Sequence, residues 1–177
     1  FNVTGKRPEL WNAEDASVHP VSYTMKDGRT EITLDMEQYG AVFVVFGEAT
    51  AEQSLQLPAT TRQEVLGMDT DWDIAFGKVQ DTPEKIHVAR LASLTESDDE
   101  HIKYFSGTAV YTKTFDVPKY DKRAAYRLDL GAVGNIAEVY LNGQLMGTLW
   151  KAPYTVDVTP ALKKKANRLE VRVTNLW

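Results

Sequence analysis

The chain has 177 residues, with 20 basic and 25 acidic side chains, a net charge of −5 and no cysteine. That length can bury a real core in one or two domains, while the acidic balance argues against nucleic acid, which is bound through a clustered basic surface. Without cysteine there is no disulfide framework, thiol nucleophile or thiolate metal site, and no apolar run approaches the ~20 residues of a membrane span.

Phe1-Asn2-Val3 reads as the middle of a longer sequence, a mature fragment or an excised piece, and no signal-peptide pattern is present. Residues 1–20 are rich in turn formers, with Gly5, Pro8, Asn12 and Pro20, and Trp11 reads as a packing residue between two units. Val21 to Met25 is a strand, Asp27-Gly28 a turn, and Thr30 to Met36 alternates, with Ile32, Leu34 and Met36 on one side. Val42 to Phe46 is apolar throughout, which predicts a strand covered on both faces. About three strands form this small β unit. Residues 47–70 read as a linker in which Leu55, Leu57 and Leu66 are the candidates for a bridging strand, and the boundary falls near Gly67, dividing the chain into 1–66 and 67–177.

The second unit opens on Trp72, Ile74 and Phe76, which alternate with polar or small residues, and Trp72 is assigned to the core. Ile86, Val88 and Leu91 mark the next strand, and 93–103 reads as a charged irregular loop. Thr108 to Phe115 has strong β composition. Ala125 to Leu130 alternates, and Gly131 and Gly134 flank a loop. A hairpin follows: Ala137, Val139 and Leu141 alternate with polar partners, Asn142-Gly143 supplies a type I′ turn, and Gln144 to Leu149 returns to Trp150. Tyr154, Val156 and Val158 form a short strand, Thr159-Pro160 begins a single helical turn, and Arg168 to Val173 is the last strand. Short strands about ten residues apart, with no long helical period, predict an all-β chain: an antiparallel β-sandwich preceded by a small β unit.

Leu128 to Val133, Ala137 to Gly143, Gly147, Trp150, Pro153-Tyr154, Val156 to Thr159 and Asn167 to Val171 follow one another in an order that resembles the sugar-binding, galactose-binding-like jelly roll of family 2 glycoside hydrolases. Tyr104 to Ala109 with Tyr111 and Phe115, Trp150 to Tyr154, and Val173 to Trp177 resemble the carboxy-terminal β region of family 106 α-L-rhamnosidase-like enzymes. Ala166 departs from the pattern, which prefers Gly before Asn167; the substitution bears on the turn and leaves the fold untouched. The resemblance implies a jelly roll that accompanies a catalytic barrel in a periplasmic or extracellular bacterial glycosidase acting on polysaccharide.

Glycoside hydrolysis needs two carboxyl groups across the scissile bond. Glu96, Asp98, Asp99 and Glu100 are the local candidates, but a charged loop reads first as solvated, and the resemblance places the catalytic pair in a separate domain. No catalytic residue is assigned. Asp69, Asp71 and Asp73 have the start of a calcium-loop spacing, but Ile74 and Gln80 stand where an EF-hand needs Gly and Glu. No cofactor or metal residue is assigned, and a structural Ca²⁺ stays open without a site. His19, His87 and His101 lack zinc spacing. Sugar binding is the sharper expectation, because aromatic faces stack on pyranose C–H surfaces while polar side chains take the hydroxyls. Trp150, Lys151, Tyr154, Glu138, Asn175 and Trp177 offer that mix. The expected partners are carbohydrate and the catalytic domain of a parent enzyme. The alternative is a structural docking module with no ligand of its own.

Overall fold

The computed structural model describes residues 1–14, 16–36, 40–79 and 81–175. The chain divides into two compact units, Phe1–Arg62 and Gln63–Trp177.

The first unit contains β1 (Lys6–Trp11), β2 (Val18–Pro20), β3 (Tyr23–Lys26), β4 (Arg29–Ile32), β5 (Phe43–Ala49) and β6 (Ser54–Leu55). They pair as two three-stranded sheets, β2-β1-β5 and β4-β3-β6. Asp27 and Gly28 take φ of 54° and 74°, the left-handed pair that a tight turn between β3 and β4 needs. Val21, Tyr23 and Met25 are buried, and the buried Thr30 hydroxyl donates to the Val3 carbonyl.

Three expectations change here. Residues 6–11, read as turn-rich, form a central strand. Pro8 fits it because β2 pairs only with Glu9 to Trp11 and the register with β5 shifts between Lys6 and Pro8. The alternation from Thr30 runs to Met36, but β4 stops at Ile32, where its partner β3 begins at Tyr23 and pairing runs out. The apolar run around Val42 is not covered on both faces: Phe43 is 64% exposed, and Trp11 opposite it is 45% exposed. Antiparallel sheets can leave one face to solvent, so a continuous apolar run does not require two covers.

The second unit contains β7 (Thr70–Ala75), β8 (Lys85–Arg90), a 3₁₀ turn (Leu94–Glu96), α1 (Glu100–Lys103), β9 (Thr108–Phe115), β10 (Arg127–Asp129), β11 (Ile136–Leu141), β12 (Gln144–Leu149), β13 (Thr155–Asp157) and β14 (Asn167–Thr174). Six strands form one sheet in the order β12-β11-β14-β9-β7-β8, and β10 pairs with β13. All of these pairings are antiparallel. Ala137, Val139 and Leu141 of β11 and Leu169 and Val171 of β14 are buried with Trp72, and Val156 and Leu128 of the smaller sheet pack on that cluster. The result is a β-sandwich. Burying each such Val or Leu contributes about 1.5–3 kcal/mol.

The segment 93–103 is more ordered than its charge suggested. Ser93 and Asp99 cap its two short turns, while Ile102 and Phe105 are buried with Phe76, whose ring meets Phe105 edge-on at 4.9 Å. No helix forms at Thr159-Pro160. Leu162 N–H donates to the Val158 carbonyl to close one turn, and the Thr159 hydroxyl accepts from Tyr126 N–H rather than capping.

The Asn142-Gly143 turn joins β11 to β12 with φ of 54° and 83°. Its Asn is held from below by the fully buried Asn167. Asn167 Oδ1 accepts from Asn142 Nδ2 at 3.0 Å and Lys163 N–H at 2.9 Å, and its Nδ2 donates to the Lys163 carbonyl at 2.7 Å. Asn142 Nδ2 also donates to the Ala161 carbonyl, and its Oδ1 accepts from Arg168 N–H. Ala166, one residue earlier, has φ of 53°, which explains why the resembled pattern prefers Gly there.

Two substitutions test this arrangement. Asn167→Ala removes a fully buried amide with its bonds to Asn142, the Phe115 carbonyl and both backbone groups of Lys163, and should lower unfolding free energy by about 3 kcal/mol, read by urea denaturation with near-UV circular dichroism. Ala166→Gly relieves the left-handed strain and should raise stability by about 1 kcal/mol in the same assay.

Candidate functional site

Ile136 pairs with Thr174, and Thr174 with Thr108, so the start of β11, the end of β14 and the start of β9 lie side by side. Ala137 pairs with Leu149, which adds the end of β12. Residues 150–154, 131–135, 104–107 and Asn175 therefore gather at one end of the six-stranded sheet. Four of the six residues expected to touch sugar, Trp150, Lys151, Tyr154 and Asn175, come together there. Glu138 lies further along β11, and Trp177 falls outside the described residues.

Trp150 sits at the open end of the hairpin, 61% exposed, with Lys151 Nζ 5.6 Å from its ring centroid. The next turn carries a cis Ala152–Pro153 bond. Tyr154 Oη donates to the Asn135 carbonyl at 3.0 Å, and Leu130 N–H donates to the Tyr154 carbonyl at 2.9 Å. These two bonds fasten the Trp150 loop to the 131–135 loop. Asn175 is engaged in positioning: its Oδ1 accepts from Gly107 N–H at 2.8 Å and its Nδ2 donates to the Phe105 carbonyl at 2.6 Å. Gly107 has φ of 145°, and a Cβ there would lie 3.3 Å from the Phe105 ring, so the loop needs glycine.

Glu138 faces the opposite side of the sheet from the core. It accepts from Tyr140 Oη at 3.3 Å, and the Arg172 guanidinium lies 4.5 Å from the Tyr140 ring centroid. Arg172 also pairs with Glu170 at 2.8 Å, and that hydrogen bond raises the Arg172 pKa.

Two cavities open on this unit. One, of about 730 Å³, lies over the inner face of the large sheet, between Tyr111, Val171 and Val173 on one side and the loops at Ser93 and Gly131 on another. Two strands cannot cover six, and the cleft is what they leave. Burial raises the Tyr111 hydroxyl pKa. The second cavity, of about 450 Å³, is lined by Thr82, Glu100, His101, Tyr104 and Ser106. Neither was legible in the sequence, although Gly131, Gly134 and the Tyr104 segment stood out there.

Glu96, Asp98, Asp99 and Glu100 are exposed, and Asp99 caps α1 through His101 N–H. Asp69 pairs with Arg90, while Asp73 is held by Lys85 and His87, which keep its carboxyl below the usual aspartate range. Among the described residues no three His, Asp or Glu side chains converge on a metal site, and no helix is long and apolar enough to cross a membrane.

Residues 91–177 match the family described as glycosyl hydrolase 2 galactose-binding domain-like. A putative beta-glucuronidase of Formosa agariphila is 50% identical over 108 residues, 60% of this chain and 9% of its own. A second beta-glucuronidase of that organism is 38% identical over 72 residues, 39% of this chain and 7% of its own. The rhamnosidase from Novosphingobium sp. PP1Y is 42% identical with a TM-score of 0.93, covering 100% of this chain and 17% of its own. The beta-D-glucuronidase of Dictyoglomus thermophilum, at 23% identity and a TM-score of 0.51 over 61% of this chain and 19% of its own, shares the fold alone. The chain thus spans less than a fifth of the length of these relatives. Residues 91–177 are thus similar to the galactose-binding-like domain of the glycosyl hydrolase 2 family, and the whole chain is similar to part of a rhamnosidase.

Proposed function

We propose that the chain is a non-catalytic accessory region of a larger glycoside hydrolase and that its second unit contacts carbohydrate at the loop end of the sandwich. The observation that carries this is Trp150: a large aromatic left 61% exposed on a loop fastened at Tyr154. An apolar ring in water with a fixed base is suited to the C–H face of a pyranose. Lys151 adds a cation beside it, which favours a uronate or a hydroxyl-rich sugar. Asn175 acts as a positioning residue, and Glu138 and Trp177 remain proposed contacts. The names of the relatives, rhamnosidase and beta-glucuronidase, support a ligand containing rhamnose or glucuronic acid. The parent is proposed to work in the periplasm or outside the cell, where polysaccharide is met. A structural Ca²⁺ remains part of the proposal without a site.

A second reading has its own observation. Trp11 pairs with Val18 on one side and Phe43 on the other, and all three are exposed on one face of the β2-β1-β5 sheet. Such an apolar row favours docking against protein, which makes the chain a structural module.

An array of oligosaccharides containing rhamnose or glucuronic acid, followed by calorimetric titration, separates the readings. Wild-type chain should bind, and Trp150→Ala should weaken binding about tenfold. Equal binding by both would remove Trp150 from the site. Binding by neither would leave the docking module.

A further inference from the structure

We propose that the cleft of about 730 Å³ in the second unit is a docking groove for one β-strand, supplied by the parent polypeptide from outside these 177 residues and added to the free edge of β10. This rests on the reading of the chain as part of a larger glycoside hydrolase, and it gives a partner to a cleft that the carbohydrate reading does not use.

The ladder between β10 and β13 decides where the backbone groups of β10 point. Val158 N–H donates to the Tyr126 carbonyl and Leu130 N–H to the Tyr154 carbonyl, each at 2.9 Å. In an antiparallel ladder, bonded residue pairs alternate with unbonded ones. Leu128 and Val156, midway between those two pairs, are therefore bonded as well. Arg127 and Asp129 are the unbonded residues, so their N–H and carbonyl groups point away from β13. Among the described residues no strand pairs with that edge. β13 itself lies on the β12 side of the large sheet, because a Cβ on Gly147 would stand 3.2 Å from a Val156 methyl. The free edge of β10 therefore looks the other way, across β14 and β9.

That is where the cleft lies. Val171 and Val173 of β14 and Tyr111 of β9 form its floor, Leu130 borders it on the β10 side, and Leu91 and Leu94 border it on the far side. An apolar floor beside a row of free backbone donors and acceptors is the chemistry of strand addition. Main-chain bonds would hold the incoming segment about 4.8 Å from β10, with every second side chain turned down onto the floor. The segment therefore carries apolar residues at alternate positions and polar ones between them. A compact apolar molecule would cover the floor but leave the edge of β10 unpaired. A protein of the size of the relatives has chain to supply, since this one covers 17% of the rhamnosidase. Covering the edge also removes a template for pairing with other molecules.

The test compares the 177-residue chain with the full-length natural protein that contains it, by hydrogen exchange resolved to single amides. Arg127 and Asp129 N–H should exchange at least about 100-fold more slowly in the full-length protein, while Leu128 N–H, bonded to Val156, should be slow in both. The chain has no cysteine, so Val173→Cys on the cleft floor gives a second reading. A maleimide should label it at least about tenfold more slowly in the full-length protein, as read by peptide mass. Equal exchange at Arg127 and Asp129 in the two proteins, with Leu128 slow in both, would overturn the inference and leave the larger hydrolase standing. If Leu128 exchanges fast in the 177-residue chain, the maleimide comparison decides, and equal labelling overturns the inference. Protection of Arg127 and Asp129 in the 177-residue chain that grows with its concentration would overturn it in favour of a second copy. A natural polypeptide no longer than this chain, read by its mass, would overturn the larger-hydrolase reading itself and the inference with it.

Discussion

The second unit depends on two asparagines. A type I′ turn needs φ > 0 at both central residues, and Asn tolerates that conformation better than most side chains. Asn142 therefore serves the turn through its backbone while its amide remains free to bond, and it reaches Asn167, the Ala161 carbonyl and Arg168 N–H. Asn167 in turn fixes Lys163 at both its N–H and its carbonyl. One pair of side chains thus joins the β11–β12 turn, the segment before β14 and the first residue of β14. An amide can do this because it donates and accepts at once. Any apolar replacement removes these bonds from part-buried backbone groups at Ala161 and Lys163.

That knot fixes register. Asn167 opens β14, and the alternation from it puts Leu169, Val171 and Val173 against the core and Arg168, Glu170 and Arg172 outside. A slip of one residue would turn Arg168 and Glu170 inward, which no partner in the core could offset. The opposite end of the same strands is then determined: Thr174 falls beside Ile136 and Thr108, and the loops that carry Trp150, Tyr154 and Tyr104 are brought to one rim. The structural anchor and the candidate binding surface lie at opposite ends of β11 and β14. Loop side chains at the rim can therefore vary without loosening the turn that holds the strands.

Much of the second unit was legible because its strands obey simple rules. Thr108 to Phe115 and the hairpin around Asn142-Gly143 follow β composition, period two and a turn dipeptide, and all three are local signals. The first unit was harder. Residues 6–11 contain a proline and turn formers, yet they lie between two partners, because pairing on one side stops short of Pro8. That depends on where β2 ends, which the local sequence does not state. The 93–103 segment misled for a related reason. Charges dominate its composition, but its packing is decided by Ile102 and Leu94, which join the neighbouring Phe105 and the distant Ile74 and Phe76 in one apolar cluster.

The candidate site divides along the same line. Trp150 was found because it ends a recognisable hairpin, and its 61% exposure is set by the fold rather than by its residue type. Asn175 stood out as a polar residue beside aromatics. Its partners, Gly107 and Phe105, lie about 70 residues away in the chain, so its role in holding a loop could not be read locally. Composition identifies which side chains are able to meet a sugar. Only tertiary pairing separates those already engaged in the fold, such as Asn175, from those, such as Trp150, whose rings the fold leaves open to solvent.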